Sequence, residues 1–246
     1  MLRLFHAIYC GMKHLLPICS FLLLFVIPSH AQYATKKWGF SIGCAIPTGR
    51  FGSMDIQQDY SGWARYGANL NIFYSHQFAN KNLGIIGMIH AEINPIATQD
   101  VANEYWIVFP YYNWTVEGGA VKRGGLMFGG FHQIKMNQEI HLVPRITLGM
   151  MAAYIPEITT SALGNGQYLW VRQKSIMAYS PSINFGLGAN FRMTRESSFF
   201  INVDYHYNKP EFKDIESKDF QGNTSTRSIS QPIANLNLNM GLSFDL

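Results

Sequence analysis

Two acid–imidazole pairs stand at alternate positions in this chain: His90 with Glu92, and Asp204 with His206. A histidine beside a carboxylate can move protons, and with a hydroxyl nucleophile the set can perform acyl transfer. Ser180 and Ser182 are the hydroxyls that could approach His206, although nothing in the sequence fixes either one to it. Arg145 and Arg192 occupy alternating positions of the same kind. In extended chain, residues two apart share a face. If that face is interior, isolated charges are costly and the charges must pair or reach water. The six residues His90, Glu92, Arg145, Arg192, Asp204 and His206 are therefore expected to form a structural network of ion pairs and hydrogen bonds, with no catalytic residue among them. A hydrolytic site or a proton- or ligand-linked gate is the sharper alternative.

Other chemistry finds less support. The histidines are scattered, without His-x-x-x-His spacing and without a cysteine pair, so neither a metal site nor a cofactor is expected. Gly118-Gly119 and Gly124-Gly125 fall in a predicted loop, outside the strand–helix context of a phosphate cradle. Tyr105, Trp106, Tyr111, Tyr112 and Trp114 crowd one stretch. Such a cluster can contact an extracellular protein or a glycan, cap its own domain, or extend a sheet.

The elements that carry these residues read as strands. Period-two alternation marks eight segments: 38–47, 64–77, 83–94, 126–136, 140–155, 179–192, 199–207 and 235–246. The last is the most regular, with Leu236, Leu238, Met240, Leu242, Phe244 and Leu246 on one face and only polar residues or glycine on the other. The fourth is ambiguous in register, because Leu126, Phe128 and Ile134 compete with Met127 and Phe131. Connections after the second, fourth and sixth segments are short. The other four, 48–63, 95–125, 156–178 and 208–233, are long, and the last of these is polar and expected to be mobile.

Composition decides which way the faces point. Charged residues make up 14% of the chain, against about 25% in an average soluble domain, and aromatics are also 14%. The polar faces carry Asn, Gly and Ser rather than Lys and Glu. A soluble sheet buries its apolar face and exposes charge. Here the polar face is small and uncharged enough to fill a narrow interior, while the apolar face can meet lipid. Trp38, Tyr74, Phe78, Tyr154, Tyr179 and Tyr207 lie near segment ends, where a membrane interface favours aromatics.

At the N-terminus, Arg3 and Lys13 precede an apolar run from Leu15 to Ile27, and Ser29 and Ala31 supply the small residues of a cleavage site. Residues 1–31 read as a secretory signal peptide, leaving 32–246 as one domain. Cleavage removes two basic residues and lowers the formal charge from +4 to +2, which is no footprint for nucleic acid. It also leaves Cys44 as the lone cysteine, so no intrachain disulfide can form.

The stretch Ile46-Pro47-Thr48-Gly49-Arg50-Phe51, the run Pro144-Arg145-Ile146-Thr147-Leu148-Gly149-Met150 followed by Pro156, and the alternating terminal strand resemble the family of small outer membrane protein β-barrel domains. Leu246 departs from the resemblance at the last position, with Phe244 two places before it. The resemblance implies an all-β, eight-stranded antiparallel up-and-down transmembrane barrel, with short periplasmic turns and long extracellular loops, in the bacterial outer membrane. It also implies outer-membrane lipids as surroundings and the barrel-assembly machinery as a partner during insertion. It transfers no catalytic residue. The function expected is a structural or interaction role through the loops. A lipid-modifying hydrolase or acyltransferase, or a small barrel passing apolar solutes, is the alternative.

Overall fold

The computed structural model describes residues 35–55, 61–79, 81–164 and 166–246. The expected signal peptide lies outside the described residues. The strands are β1 (Lys36–Pro47), β2 (Gly67–Gln77), β3 (Leu83–Pro95), β4 (Asn113–Gly118), β5 (Ala120–His132), β6 (Ile134–Lys135), β7 (Ile140–Ile155), β8 (Ile158–Gly164), β9 (Gln167–Gln173), β10 (Ile176–Arg192), β11 (Ser197–Asn208), β12 (Glu211–Asp219), β13 (Thr224–Ser230) and β14 (Ile233–Asp245). One helix, α1 (Thr98–Val108), follows β3.

Eight of these strands pair in the order β1-β2-β3-β5-β7-β10-β11-β14, all antiparallel, and β14 pairs back onto β1. The sheet is therefore a closed eight-stranded barrel, which leaves no unpaired edge among its wall strands. Closure joins the first strand to the last over a long register, from Lys37 opposite Asp245 to Pro47 opposite Asn235. A Lys37–Asp245 ion pair of 3.0 Å locks one end of that seam.

The wall is inverted relative to a soluble protein. Ser41, Asn69, Asn71, Thr147, Asn184, Asn202, Asn235, Asn237 and Asn239 are buried inside. Ile42, Ile89, Leu126, Phe128, Leu148, Leu187 and Met240 stand exposed outside, in a band that runs around the barrel. Water would penalise that band and lipid does not, so the outer face is a membrane face. Trp38 stacks on Phe244 at 4.9 Å and pairs with Tyr74 near the short-turn end, forming part of an aromatic girdle.

The fourth barrel strand differs from expectation at both ends. It begins at Ala120, so Gly124 and Gly125 lie within the wall instead of a loop. Its register is settled by Met127, wholly buried, between exposed Leu126 and Phe128.

The long connections are also more ordered than their polarity suggested. A second, five-stranded sheet runs β4-β8-β9-β12-β13 and is built from three of them. β4 and β8 prolong β5 and β7 past a break at Gly119 and Pro156, where a Cβ on Gly119 would touch the proline ring at 3.3 Å. Proline has no N–H for the ladder, and the pairing is interrupted there. The polar fourth connection, expected to be mobile, is the hairpin β12–β13. Its tip is held by Asp219, whose carboxylate accepts from the backbone N–H of Gln221 (3.0 Å) and Asn223 (2.8 Å) and from the Asn223 amide (3.0 Å). These bonds hold its pKa below the ordinary carboxylate value, the Asn223 side chain contributing most. Gly222 supplies the left-handed turn residue with φ +86°.

An apolar plug closes the long-loop mouth. Phe51, Ile96, Val121, Phe212, Ile215 and Ile233 are buried together with alanines of the wall. Phe51 belongs to the Pro-x-Gly-x-Phe stretch: Gly49 turns the chain with φ +57°, and Phe51 drops into the mouth. Because the outward face meets lipid, Leu148→Arg, at mid-strand and well exposed, is expected to destabilise the inserted barrel by about 2–4 kcal/mol in urea titrations in liposomes. A change near zero would place that face in water.

Candidate functional site

The lumen is filled by two layers of charge set in asparagine. The outer layer is centred on Glu92. Its Oε1 accepts from Arg123 through Nε (3.1 Å) and Nη2 (2.5 Å), and from the amide of Asn235. Its Oε2 accepts from Asn237 (3.2 Å) and lies 3.2 Å from His90 Nε2. Arg123 also donates to Asn208 (2.7 Å), and its guanidinium lies 5.9 Å from the Phe51 ring, so it joins the ionic layer to the plug above.

The inner layer is the Arg145–Asp204 pair. Arg145 donates to Asp204 Oδ1 from Nε (3.1 Å) and Nη2 (2.8 Å), and to Oδ2 from Nη2 (2.6 Å). Asn184 (3.3 Å) and Asn239 (3.0 Å) donate to the same carboxylate. The pair fits because β10 carries Gly186 beside it. A Cβ there would land on Asp204 Oδ1 and within 2.7 Å of Arg145 Nε.

His206 belongs to the outer layer. Its Nδ1 lies 3.2 Å from His90 Nε2, with the two rings edge to face at 4.6 Å. Its Nε2 meets Ser182 Oγ at 2.5 Å. A Ser–His contact therefore exists, but Asp204 does not support it, because the aspartate faces Arg145. Ser182 and His206 are both buried, and Ser182 also donates to the carbonyl of Tyr207 (3.1 Å). Ser180 instead accepts from Asn208 (2.9 Å).

Of the six residues expected in the lumen, five are there. Arg192 is not. It is the last residue of β10, paired with Ser198 and exposed beside the short turn, and donates to the carbonyls of Thr194 (3.3 Å) and Arg195 (3.5 Å). Its alternation phase is inward, but on the last rung of the ladder the side chain reaches solvent and not the lumen. The residue that sequence reasoning missed is Arg123, which falls in the stretch expected to be a loop. The signal is present: Val121, Arg123, Gly125 and Met127 continue the inward phase backwards, and a buried Glu92 demands a cation. Register places Arg123 directly opposite Glu92.

A cavity of about 50 Å³ lies toward the short-turn end, against Phe73, Phe131, Arg145, Phe200 and Asn202, room for a few waters at most. The aromatic cluster sits outside the barrel. Tyr105 stacks on Trp114 at 4.8 Å and Tyr112 tilts against it at 6.0 Å, over a small core of Val101, Ala102 and Val116. Burial raises the Tyr105 pKa, and Arg227 opposes that shift. Trp106 and Tyr111 take no part in this packing and stand 58% and 83% exposed. Residues expected to act as one contact surface thus divide into a packed group and an exposed pair.

No protein-family model matches the chain, and no curated protein does. Solved structures do. The chain is similar to a major outer membrane protein from Thermus thermophilus (10% identity, 86% of this chain and 99% of that one, TM-score 0.46). It is also similar to Ail, the attachment invasion locus protein of Yersinia pestis (14%, 87% and 97%, TM-score 0.40), and to Neisserial surface protein A (10%, 87% and 99%, TM-score 0.37). The fold itself rests on the closed register of this chain.

The two buried charges of the outer layer are coupled. Glu92→Gln and Arg123→Met each leave a buried ion unpaired and are expected to cost about 3–5 kcal/mol in urea unfolding. The double substitution is expected to cost clearly less than the sum of the two. Strict additivity would mean that the pair is not an energetic unit.

Proposed function

We propose that this protein is an integral outer-membrane barrel whose work is done by the surface of its loop sheet, through contact with an extracellular protein or glycan. The observation that carries the reading is the division of the molecule: a lumen filled by ion pairs, asparagines and an apolar plug, beneath an ordered sheet that exposes large apolar side chains. Trp106, Ile107, Phe109 and Tyr111 stand exposed at α1 and the turn after it, and Tyr168 and Val171 on β9. Order matters here, because a pre-formed surface loses less entropy on binding than a mobile loop. Exposed aromatics of this kind supply most of the energy in known interfaces.

Export follows the same reading. The leader is cut after Ala31, the chain begins at Gln32, and the barrel-assembly machinery inserts it from the alternating terminal strand. N-terminal sequencing of membrane-extracted protein that began elsewhere would contradict the cleavage site.

A second reading draws on the Ser182–His206 contact, which is the beginning of a hydrolase or acyltransferase. Against it stand the burial of both residues and the engagement of Asp204 elsewhere. Ser182→Ala is expected to leave the lipid A profile of expressing cells unchanged, and an altered profile would revive catalysis.

The loop reading is tested with refolded barrels on beads, probed with a panel of extracellular-matrix proteins and glycans. Trp106→Ser combined with Tyr111→Ser is expected to weaken the retained binding at least about tenfold, as loss of a contact hot spot does, while the barrel still folds. Equal binding by the double variant would remove these residues from the function.

A further inference from the structure

In the outer layer, a ring nitrogen of His90, a ring nitrogen of His206 and a carboxylate oxygen of Glu92 converge on one buried point. Asn71 donates its amide to Ser41 (3.2 Å) and Asn69 (3.3 Å), so its carbonyl oxygen is the atom that faces His90 Nδ1 at 2.6 Å. That oxygen accepts, so His90 Nδ1 carries a proton, and in the neutral ring Nε2 holds the lone pair. Ser182 has one hydroxyl proton and donates it to the carbonyl of Tyr207. With that proton placed, Ser182 Oγ accepts from His206 Nε2–H at 2.5 Å in the tautomer that leaves a lone pair on His206 Nδ1. In these neutral tautomers the two nitrogens face each other at 3.2 Å as acceptors, and Glu92 Oε2 lies 3.2 Å from His90 Nε2. The three side chains can each offer one ligand atom, all within 4.8 Å of one another, and all three residues are buried.

We propose that His90, His206 and Glu92 bind a single divalent transition-metal ion of the zinc type inside the barrel. Two neutral imidazoles and a carboxylate form a donor set suited to zinc. A four-coordinate ion with bonds of about 2.0–2.1 Å holds its ligands about 3.3 Å apart, close to the separation already present on two edges of this triangle. The outer contacts are those that metal-binding histidines use: His90 Nδ1 meets the Asn71 carbonyl oxygen and His206 Nε2 meets the Ser182 hydroxyl, which orients both rings. Arg123 and Asn235 hold the other carboxylate oxygen. Asn235 and Asn237 each keep a carbonyl oxygen without a protein partner beside the site. The charge of Arg123 opposes the ion, so the affinity is lower than at an unopposed carboxylate. The ion ties β3 to β11 across the lumen, and its burial beneath the plug gives it a structural role and no route to substrate.

The test is refolding of the whole barrel in detergent with Zn²⁺, or with Co²⁺ as a spectroscopic probe, followed by desalting and metal analysis. The expected result is one ion retained per chain, visible bands of four-coordinate Co²⁺, and a higher unfolding temperature with Zn²⁺. His90→Ala and His206→Ala are expected to retain at least about tenfold less metal, the size of loss that perturbed metal shells show. His76→Ala, outside the cluster, retains the full amount. Unboiled gel mobility confirms that each variant is folded, and His206→Gln replaces the alanine variant if that one is not. Wild-type protein that retains no more metal than the His90→Ala, His206→Ala double variant would overturn the proposal. The same holds if imidazole nitrogen shifts show a protonated His90 and no metal uptake, since a proton would then satisfy the three acceptors.

Discussion

A carboxylate sealed inside a protein wall must be neutralised there, because neither lipid outside nor water at the ends can reach it. Glu92 and Asp204 set this condition for the whole barrel, and Arg123 and Arg145 meet it. Each guanidinium needs a fixed height and direction, so each pair fixes the relative register of the strands that carry it. Glu92 and Arg123 face each other across one ladder, whereas Arg145 and Asp204 bridge over β10. Asparagines fill the remaining volume because each can give and accept at once. They crowd the carboxylates with donors: Asn235 and Asn237 on Glu92, Asn184 and Asn239 on Asp204.

That interior explains the rest of the architecture. A paired charge layer keeps its strength only where water is kept away, and the two ends achieve this differently. The long-loop end is stoppered by Phe51, Ile96, Phe212 and Ile215, with Arg123 reaching up to the Phe51 ring. Toward the short-turn end, Phe73 and Phe200 pack edge to face at 5.5 Å beside Met88, Met127 and Met151. The apolar residues that a soluble protein would gather into one core are thus distributed as two internal seals and an outer band. The plug also anchors the superstructure: Phe212 and Ile215 belong to β12, and Val121 lies at the start of β5, just past the end of β4.

The barrel was legible in the sequence because a wall strand with lipid on one side and a packed lumen on the other must alternate strictly. Where that rule holds, as from Asn235 to Asp245, the strand could be read almost residue by residue. It failed where one face stops being apolar. The start of β5 was lost because Lys122 and Gly124, on the outward phase, interrupt the pattern just before Gly125. Arg123 was lost with it. The loop sheet was illegible for a related reason. Strands such as Ile158–Gly164 and Thr224–Ser230 are rich in Thr and Ser on both faces, and the sheet they join is assembled across separate connections, β4 on β8 and β9 on β12. The acceptor triangle was hidden more deeply. His90 and His206 lie 116 residues apart on strands that do not pair, and they meet only through the geometry of the lumen. Arg192 failed in the opposite sense, since its phase was right and its height was wrong.

The central claim is that the apolar face of this wall meets lipid and the polar face does not. Cys44 tests it most directly, as the one cysteine after residue 31, lying exposed on the outer face of β1 in phase with Phe40 and Ile42. In native outer membranes, a charged, membrane-impermeant maleimide is predicted to leave Cys44 unlabelled until the protein is denatured, while a lipid-soluble thiol reagent reaches it in the folded state. Rapid labelling of the folded protein by the charged reagent would mean that the outer face stands in water, and the account would be wrong at its foundation.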